Sequence, residues 1–357
     1  MSEHHNHEHK DGFIPKYLLE KLAERGNEDA RRTLVQTEKI EKKIEKIKKN
    51  RTESNFFLAN VSGESKRFIY NSENTPNFKR KLERKEGDLP AQDEVVNIAY
   101  DFCGKTLDYF NNKLDRNSID GQGMDVICNV HFNDDPSEKG LNNAFWVGDQ
   151  LALGDGDGRT FINLARSIDV VAHEFAHGVT QYVNELIYER QSGALNEHFS
   201  DVIGTAVQQY VKGQNAQTAD WLIGDEIVGP AWPGKALRSM KAPGTASEID
   251  DQPDHMRDYK NLPLSKDNGG VHIYSGIPNK AFFHVAMDIG TDAAAFLWYT
   301  AWHDREIIHP RATFLEAFKA ILKAVETLVE KGKLPAKTID SVKSAFEEVG
   351  ITSLVHV

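Results

Sequence analysis

His173-Glu174-Phe175-Ala176-His177 stands inside the apolar-periodic stretch Ile168 to Val183 of this 357-residue chain. Residues four apart share one face of a helix, so both imidazoles can reach one metal ion while Glu174 sits beside them without having to ligate. This His-Glu-x-x-His spacing suits zinc, with the glutamate as general base. Taken alone it also suits two histidines buried on a core helix. A catalytic zinc needs a third protein ligand and an open position for water. One subclass places a third histidine six residues after the second, where this chain has Val183. Further on comes the run Gly193 to Asp201. If Asn196 or a neighbour opens a second helix there, Glu197 and Asp201 fall one turn apart on the same face. Glu197 then completes a His2Glu set, and Asp201 accepts the free ring N–H of a ligand imidazole.

Those residues need rigid elements to hold them. Residues 167–357 read as mainly helical, with irregular connections around Val228 to Asp267. Residues 55–165 read as mostly β with one early helix. Gln92 to Leu114 carries apolar residues at helical spacing (Val95, Val96, Ala99, Tyr100, Phe102), whereas Met124 to Phe132 alternates and is β-branched. Gly154-Asp155-Gly156-Asp157-Gly158 reads as a turn. The first 50 residues differ in kind. They open on a histidine tract (His4, His5, His7, His9), place Pro15 at a helix start, and repeat Leu18, Leu19 and Leu22 until Gly26. A second helix is expected from Glu28, with Ala30, Leu34, Thr37, Ile40, Ile44 and Ile47 along one side.

Composition bounds the function classes. The hydrophobic fraction of 39% and the length suggest about two domains with their own cores. With 43 Lys+Arg against 54 Asp+Glu the net charge is -11, which argues against nucleic-acid binding as the main activity. The first 50 residues hold 12 Lys+Arg and 10 Asp+Glu, so the remainder is the more acidic part. No apolar run approaches the roughly 18 residues of a membrane span, and the N-terminus lacks the apolar core of an ordinary signal peptide. Cys103 and Cys128 are expected to be two buried thiols.

Five motifs in order make residues 85 to 357 resemble the thermolysin-like zinc endopeptidases. They are Asn143-Ala144-Phe145-Trp146, His173 to His177, Gly193 to Asp201, Leu237-Arg238-Ser239-Met240, and Asp267-Asn268-Gly269-Gly270-Val271-His272-Ile273-Tyr274-Ser275-Gly276. Ile14-Pro15-Lys16-Tyr17-Leu18-Leu19 resembles the short prosegment of the protealysin-like branch, whose members lack the long propeptide and the usual signal peptide. Lys16 stands where that branch usually has a second proline. The resemblance implies an α+β, two-lobed fold: a prosegment over residues 1–50, a β-rich lobe over 51–168 and a helical lobe over 169–357, with Zn2+ in the cleft. It implies a zinc ion held by His173, His177 and Glu197, and Glu174 as the base that activates water. His272 with Tyr188 is expected to face the oxyanion, Asp267 to orient His272, and Asp201 to back a ligand histidine.

The same resemblance assigns substrate contacts to Asn143, to the Ala144 backbone and to Arg238. Phe161, Leu164, Val170 and Leu237 match the pocket for the residue after the cleaved bond. All four are apolar, so cleavage of protein and peptide substrates is expected before bulky hydrophobic residues. Asp169, Asp220 and Asp225 match acidic calcium positions, but Gln208 and Leu222 replace two glutamates, so at most one Ca2+ is expected. The prosegment is expected to act as an intramolecular inhibitor, removed near Lys48 to Asn55 by the enzyme itself or by a neighbouring molecule. A monomer is expected, secreted from a cytoplasmic precursor by a route without an ordinary signal peptide, with no membrane or nucleic-acid partner. A zinc aminopeptidase would need a Gly-x-Met-Glu-Asn type motif, and none precedes His173. A non-catalytic metal-binding protein would be expected to have lost Glu174 or His272, and both are present.

Overall fold

The computed structural model describes residues 12–52 and 63–352. The histidine tract and residues 53–55 of the expected processing region lie outside the described residues. After Pro15 the chain forms α1 (Lys16–Glu24) and then α2 (Glu28–Thr52), which runs through residue 50 without a break. Gly26, in the left-handed region, makes the turn between them.

A five-stranded sheet follows, built from β1 (Arg67–Asn71), β2 (Lys81–Lys85), β3 (Val126–Val130), β4 (Ala144–Trp146) and β5 (Leu151–Leu153). Its order is β2-β1-β3-β5-β4, with β1, β3 and β5 parallel and both edge strands antiparallel to their neighbours. The strands are shorter than the alternating sequence suggests, and most of this region is loop. The crossover helix α3 (Glu94–Leu114) starts where Asp93 accepts the Val95 N–H and ends at left-handed Asp115. Cys103 on α3 and Cys128 on β3 are both buried free thiols.

From Ile168 onward the chain is helical: α4 (Ile168–Val183), α5 (Arg190–Lys212), then α6 (Asp267–Tyr274), α7 (Gly276–Ile289), α8 (Thr291–Trp302), α9 (Phe314–Glu330) and α10 (Thr338–Glu348). A two-stranded ribbon of β6 (Leu222–Ile223) and β7 (Arg238–Ser239) stands between α5 and α6. Almost every residue of α4 is buried, because it lies between the sheet and the helices behind it. Two glycines permit that packing. A Cβ on Gly178 would lie 2.5 Å from Ile119 Cγ2 and 2.9 Å from Trp146 Cζ2, so its absence lets the sheet edge close on α4. A Cβ on Gly204 of α5 would lie 3.1 Å from the Asp169 carbonyl oxygen, so glycine also sets the α4–α5 approach.

The N-terminal helices pack on both sides of the cleft. α1 reaches the irregular segment before α6, where Lys21 Nζ donates to the Ile249 carbonyl at 3.1 Å and Arg25 pairs with Glu248. α2 lies along the loops of the sheet: Gln36 donates to Asn133 at 3.1 Å, and Asn142 donates to Thr33 Oγ1 at 3.0 Å. Ile40 joins Phe132, Leu141, Phe145, Val147 and Ala152 in a second, smaller apolar cluster.

Candidate active site

Helix geometry puts His173 and His177 on one face of α4, and their Nε2 atoms lie 3.0 Å apart. Glu197, from α5, brings carboxylate oxygens to 3.4 Å from each of them. The ligand atoms of the three residues all lie within 4.8 Å of one another, and this is the one such group among the described residues. The outer ring nitrogens are held as well. His173 Nδ1 meets Asp201 Oδ1 at 3.0 Å, and His177 Nδ1 meets Asn196 Oδ1 at 2.8 Å. An acceptor on each Nδ1 keeps that nitrogen protonated and turns the Nε2 lone pair inward, the tautomer a metal requires.

Electrostatics agree with a cation at this point. Burial pushes His177 down to about 3. For His173 burial acts in the same direction, but hydrogen bonds to Asp201 and Glu197 outweigh it and raise the imidazole to about 9. Glu197 is buried too, yet the imidazoles of His272, His177 and His173 hold it ionised. One proton thus sits among facing donor atoms. Without it, two lone pairs and a carboxylate converge, and that donor set fits zinc.

Glu174 follows His173 on α4 and is fully buried. Its Oε2 accepts the Trp146 N–H of β4 at 2.6 Å, while Oε1 has no hydrogen-bond partner among the described residues. Burial raises its carboxyl to about 8, with the Glu197 charge acting the same way.

Opposite it stands the His272 group. Asp267, Asn268, Gly269 and Gly270 all have positive φ, so α6 is regular only in its second half. That left-handed run folds the Asp267 carboxylate back onto the helix start. Its Oδ2 accepts the His272 and Ile273 N–H groups at 2.8 and 3.0 Å, and Oδ1 meets His272 Nδ1 at 2.6 Å. The Tyr188 hydroxyl donates to Glu197 Oε1 and lies 3.2 Å from His272 Nε2.

Asp201 lies one turn after Glu197, as the spacing requires, and it carries more than one imidazole. Arg238 donates to it through Nε at 2.8 Å and Nη2 at 2.7 Å, and Asn279 Nδ2 donates at 2.9 Å. Burial opposes the Asp201 charge, but Arg238 and His173 hold its carboxyl below the usual range. Arg238 Nη1 is buried without a partner among the described residues, a donor left over on a clamped guanidinium.

The chain's own N-terminal segment lies against this site. Phe13 N–H donates to the Ala144 carbonyl at 3.0 Å, and Ile14 N–H donates to Asn143 Oδ1 at 2.9 Å. β4 is a sheet edge, and the segment lies against it, bent at Phe13 and Ile14. The Phe13 ring meets His173 edge-on at 4.9 Å, and the Arg238 guanidinium lies 5.3 Å from its centre. Gly224 is flanked by Phe13 Cε1 and by the Leu237 side chain. Phe161, Leu164, Val170 and Leu237 are all fully buried in the same core cluster as Phe13.

One expectation about elements changes. Helix α5 opens at Arg190, so Asn196 lies in its second turn, where its amide reaches His177. Asp169, in the first turn of α4, accepts from Ser167, from Val170 N–H at 2.7 Å and from Gly224 N–H at 2.8 Å. Asp220 accepts from Leu222 N–H at 3.1 Å. Asp225 is raised to about 6 by burial and then by the charges of Asp169 and Asp220. In the Gly154 to Gly158 turn, Asp157 caps Arg159 and Thr160, while Asp155 binds His131.

Sequence reasoning did not find Asn196 as a His177 partner, Asn279 as an Asp201 partner, or Phe13 as the occupant of the cleft. For Phe13 a signal was available: an aromatic residue directly ahead of the Ile14-Pro15 pair, in a chain whose pocket residues are apolar.

A donor set of this kind on this two-lobed α+β frame is that of a zinc metallopeptidase. Residues 28–181 match the family described as Thermolysin metallopeptidase, catalytic domain, and residues 184–351 match Thermolysin metallopeptidase, alpha-helical domain. An extracellular metalloprotease of Pectobacterium carotovorum subsp. carotovorum is 38% identical over 347 residues, covering 95% of each chain. Protease PrtS of Photorhabdus sp. (strain Az29) is 37% identical over 351 residues, covering 95% of this chain and 92% of its own. Among solved structures, the precursor of protealysin, a metalloproteinase from Serratia proteamaculans, superposes with a TM-score of 0.81 at 36% identity, over 96% of this chain and 99% of that one. The chain belongs to the thermolysin family of metallopeptidases; it is a zinc metalloendopeptidase in precursor form.

Proposed function

We propose that this chain hydrolyses peptide bonds on the N-terminal side of bulky hydrophobic residues, using His173, His177 and Glu197 to hold one zinc ion. The observation that carries this reading is Glu174, buried beside the three ligands with one oxygen anchored on β4 and the other without a partner. Zinc bound there supplies Lewis acidity, which acidifies water and polarises a carbonyl. Glu174 Oε1 takes the proton of the attacking water and passes it to the leaving amine. His272 and Tyr188 donate to the developing oxyanion; Asp267, bound to Nδ1, stabilises the charged imidazole so that Nε2 has a proton to donate. Asp201 and Asn196 hold the ligand imidazoles in register.

Substrate adds to the edge strand β4 through Asn143 and the Ala144 backbone, and Arg238 Nη1 takes a substrate carbonyl. Phe161, Leu164, Val170 and Leu237 shape the pocket for the side chain after the cleaved bond, and the burial of Phe13 beside Leu237 supports an aromatic or large aliphatic occupant. Residues 1–50 form the inhibitory prosegment, 51–168 the β-rich lobe and 169–357 the helical lobe. Removal near Lys48 to Asn55 by the chain itself releases the cleft. The family's extracellular relatives support release from the cell; the freed enzyme acts as a monomer. One calcium ion at Asp225, with Asp169 and Asp220, would relieve the crowding of like charge there.

The test is hydrolysis of an internally quenched, N-blocked peptide by the enzyme freed of its prosegment. Activity should vanish with chelator and with Glu174→Ala, and cleavage should fall before Phe or Leu. Activity that survives Glu174→Ala, or cleavage mainly before charged residues, contradicts the reading.

A further inference from the structure

The way Phe13 and Ile14 sit in the cleft has a direction. Phe13 N–H is bound to the Ala144 carbonyl oxygen and Ile14 N–H to the Asn143 side chain, so the two contacts run in opposite senses along the two segments. Gly12, one residue before Phe13, lies against Asn143 and Ala144, close in the chain to Trp146, whose N–H is bound to Glu174. Meanwhile the Phe13 ring, edge-on to His173 and beside Leu237, lies where the residue after a cleaved bond belongs. Gly12 is held closely: a Cβ there would stand 2.4 Å from Asn143 Oδ1 and 2.5 Å from the Ala144 oxygen. No side chain fits there, so glycine allows the backbone this close to the strand.

Resting on the peptidase reading above, we propose that the Gly12–Phe13 bond is a substrate of the chain's own site, so that the protein trims itself to a Phe13 N-terminus while the rest of the prosegment still fills the cleft. The step is a simple hydrolysis. Water adds its oxygen to the Gly12 carbonyl carbon, the bond from that carbon to Phe13 nitrogen breaks, and Glu174 carries the water's proton to the departing nitrogen. Gly12 becomes a carboxylate and Phe13 an ammonium, with no oxidant or reductant. Residues 1–12, the histidine tract included, then have no covalent tie and leave, which makes the cut one-way. Residues 13–52 remain held by Asn143, by α1 on Ile249 and by α2 on Asn133, so trimming does not open the cleft. It is a separate event from the cut near Lys48 to Asn55.

The full-length chain is prepared metal-free, given one equivalent of zinc, and followed by intact mass and N-terminal sequencing. The expected product begins at Phe13 and is absent with Glu174→Gln. Phe13→Asp should slow its appearance about tenfold or more, and Phe13→Leu should restore it. Because the bond is already in place, the rate should not change over about a hundredfold dilution. Hydrogen exchange on the metal-free chain gives a readout independent of turnover: the Phe13 and Ile14 amides should be protected, and Asn143→Ala should release Ile14. Free exchange of both amides in the wild-type chain, or a rate proportional to protein concentration, overturns the proposal. So does a zinc-loaded chain that keeps residues 1–12, provided it hydrolyses the quenched peptide once its prosegment is removed by limited proteolysis. If that freed enzyme is also inactive on the peptide, the peptidase reading itself fails, and the self-trimming with it.

Discussion

Asp201→Asn separates the two duties of one buried carboxylate. Its oxygens meet His173 Nδ1 at 3.0 Å, Arg238 Nε and Nη2 at 2.8 and 2.7 Å, and Asn279 Nδ2 at 2.9 Å. Asparagine keeps the shape but has one acceptor oxygen and an NH2 that must face a donor. If the NH2 faces Arg238, a buried guanidinium loses its counter-charge, a cost of about 3 kcal/mol or more for breaking a buried pair. If it faces His173, Nδ1 must become the acceptor, the proton moves to Nε2, and the nitrogen that binds metal is blocked. Zinc affinity should therefore fall by about 10- to 100-fold, or about 1.4 to 2.7 kcal/mol. Competition against a chelator of known affinity measures the second effect, and urea unfolding of the metal-free protein measures the first. Adding Arg238→Met to Asp201→Asn should recover stability without recovering zinc affinity, because it removes the orphaned charge and leaves the tautomer wrong. Zinc binding at wild-type strength in Asp201→Asn would refute the argument that this carboxylate sets the His173 tautomer.

Three further outcomes follow from the packing and the charges. Phe13→Ala empties a fully buried ring position in the cleft and should weaken prosegment docking by about 3 kcal/mol, so the intact precursor should hydrolyse the quenched peptide about a hundredfold faster; unchanged latency counts against the docking role. His131, clamped between Asp93 and Asp155, is raised to about 9: burial opposes its charge, and the two carboxylates outweigh it. Since the folded value lies above the unfolded one near 6.5, the clamp contributes fully below that pH and is lost as pH rises through about 9. The melting temperature should drop over that interval, and less so in Asp155→Asn. Gly178→Val should destabilise by about 1 to 3 kcal/mol in urea unfolding, because its Cβ meets Ile119 and the Trp146 ring; a neutral result would mean that β4 can move off α4 without cost.

Much of the zinc group was legible in the chain because it is local. Four residues make a little over one helical turn, so His173 and His177 had to share a face once Ile168 to Val183 was helical, and Glu197 and Asp201 followed from the same rule. The apolar spacing after Pro15 and from Glu28 likewise announced two helices, and α1 and α2 are there. Contacts between elements were another matter. Asn196 was expected to start α5, and only the placement of α4 beside α5 turns its amide onto His177. Asn279 reaches Asp201 across 78 residues, and Phe13 reaches Ala144 from the far end of the chain. Asp169 likewise turns its carboxylate onto the amide of Gly224, 55 residues away. The physical reason is the range of the forces involved. Backbone periodicity couples residues a turn or two apart, whereas partners far apart in sequence are selected by how whole helices and a sheet edge close on one another, with glycines at the contacts deciding how near they come.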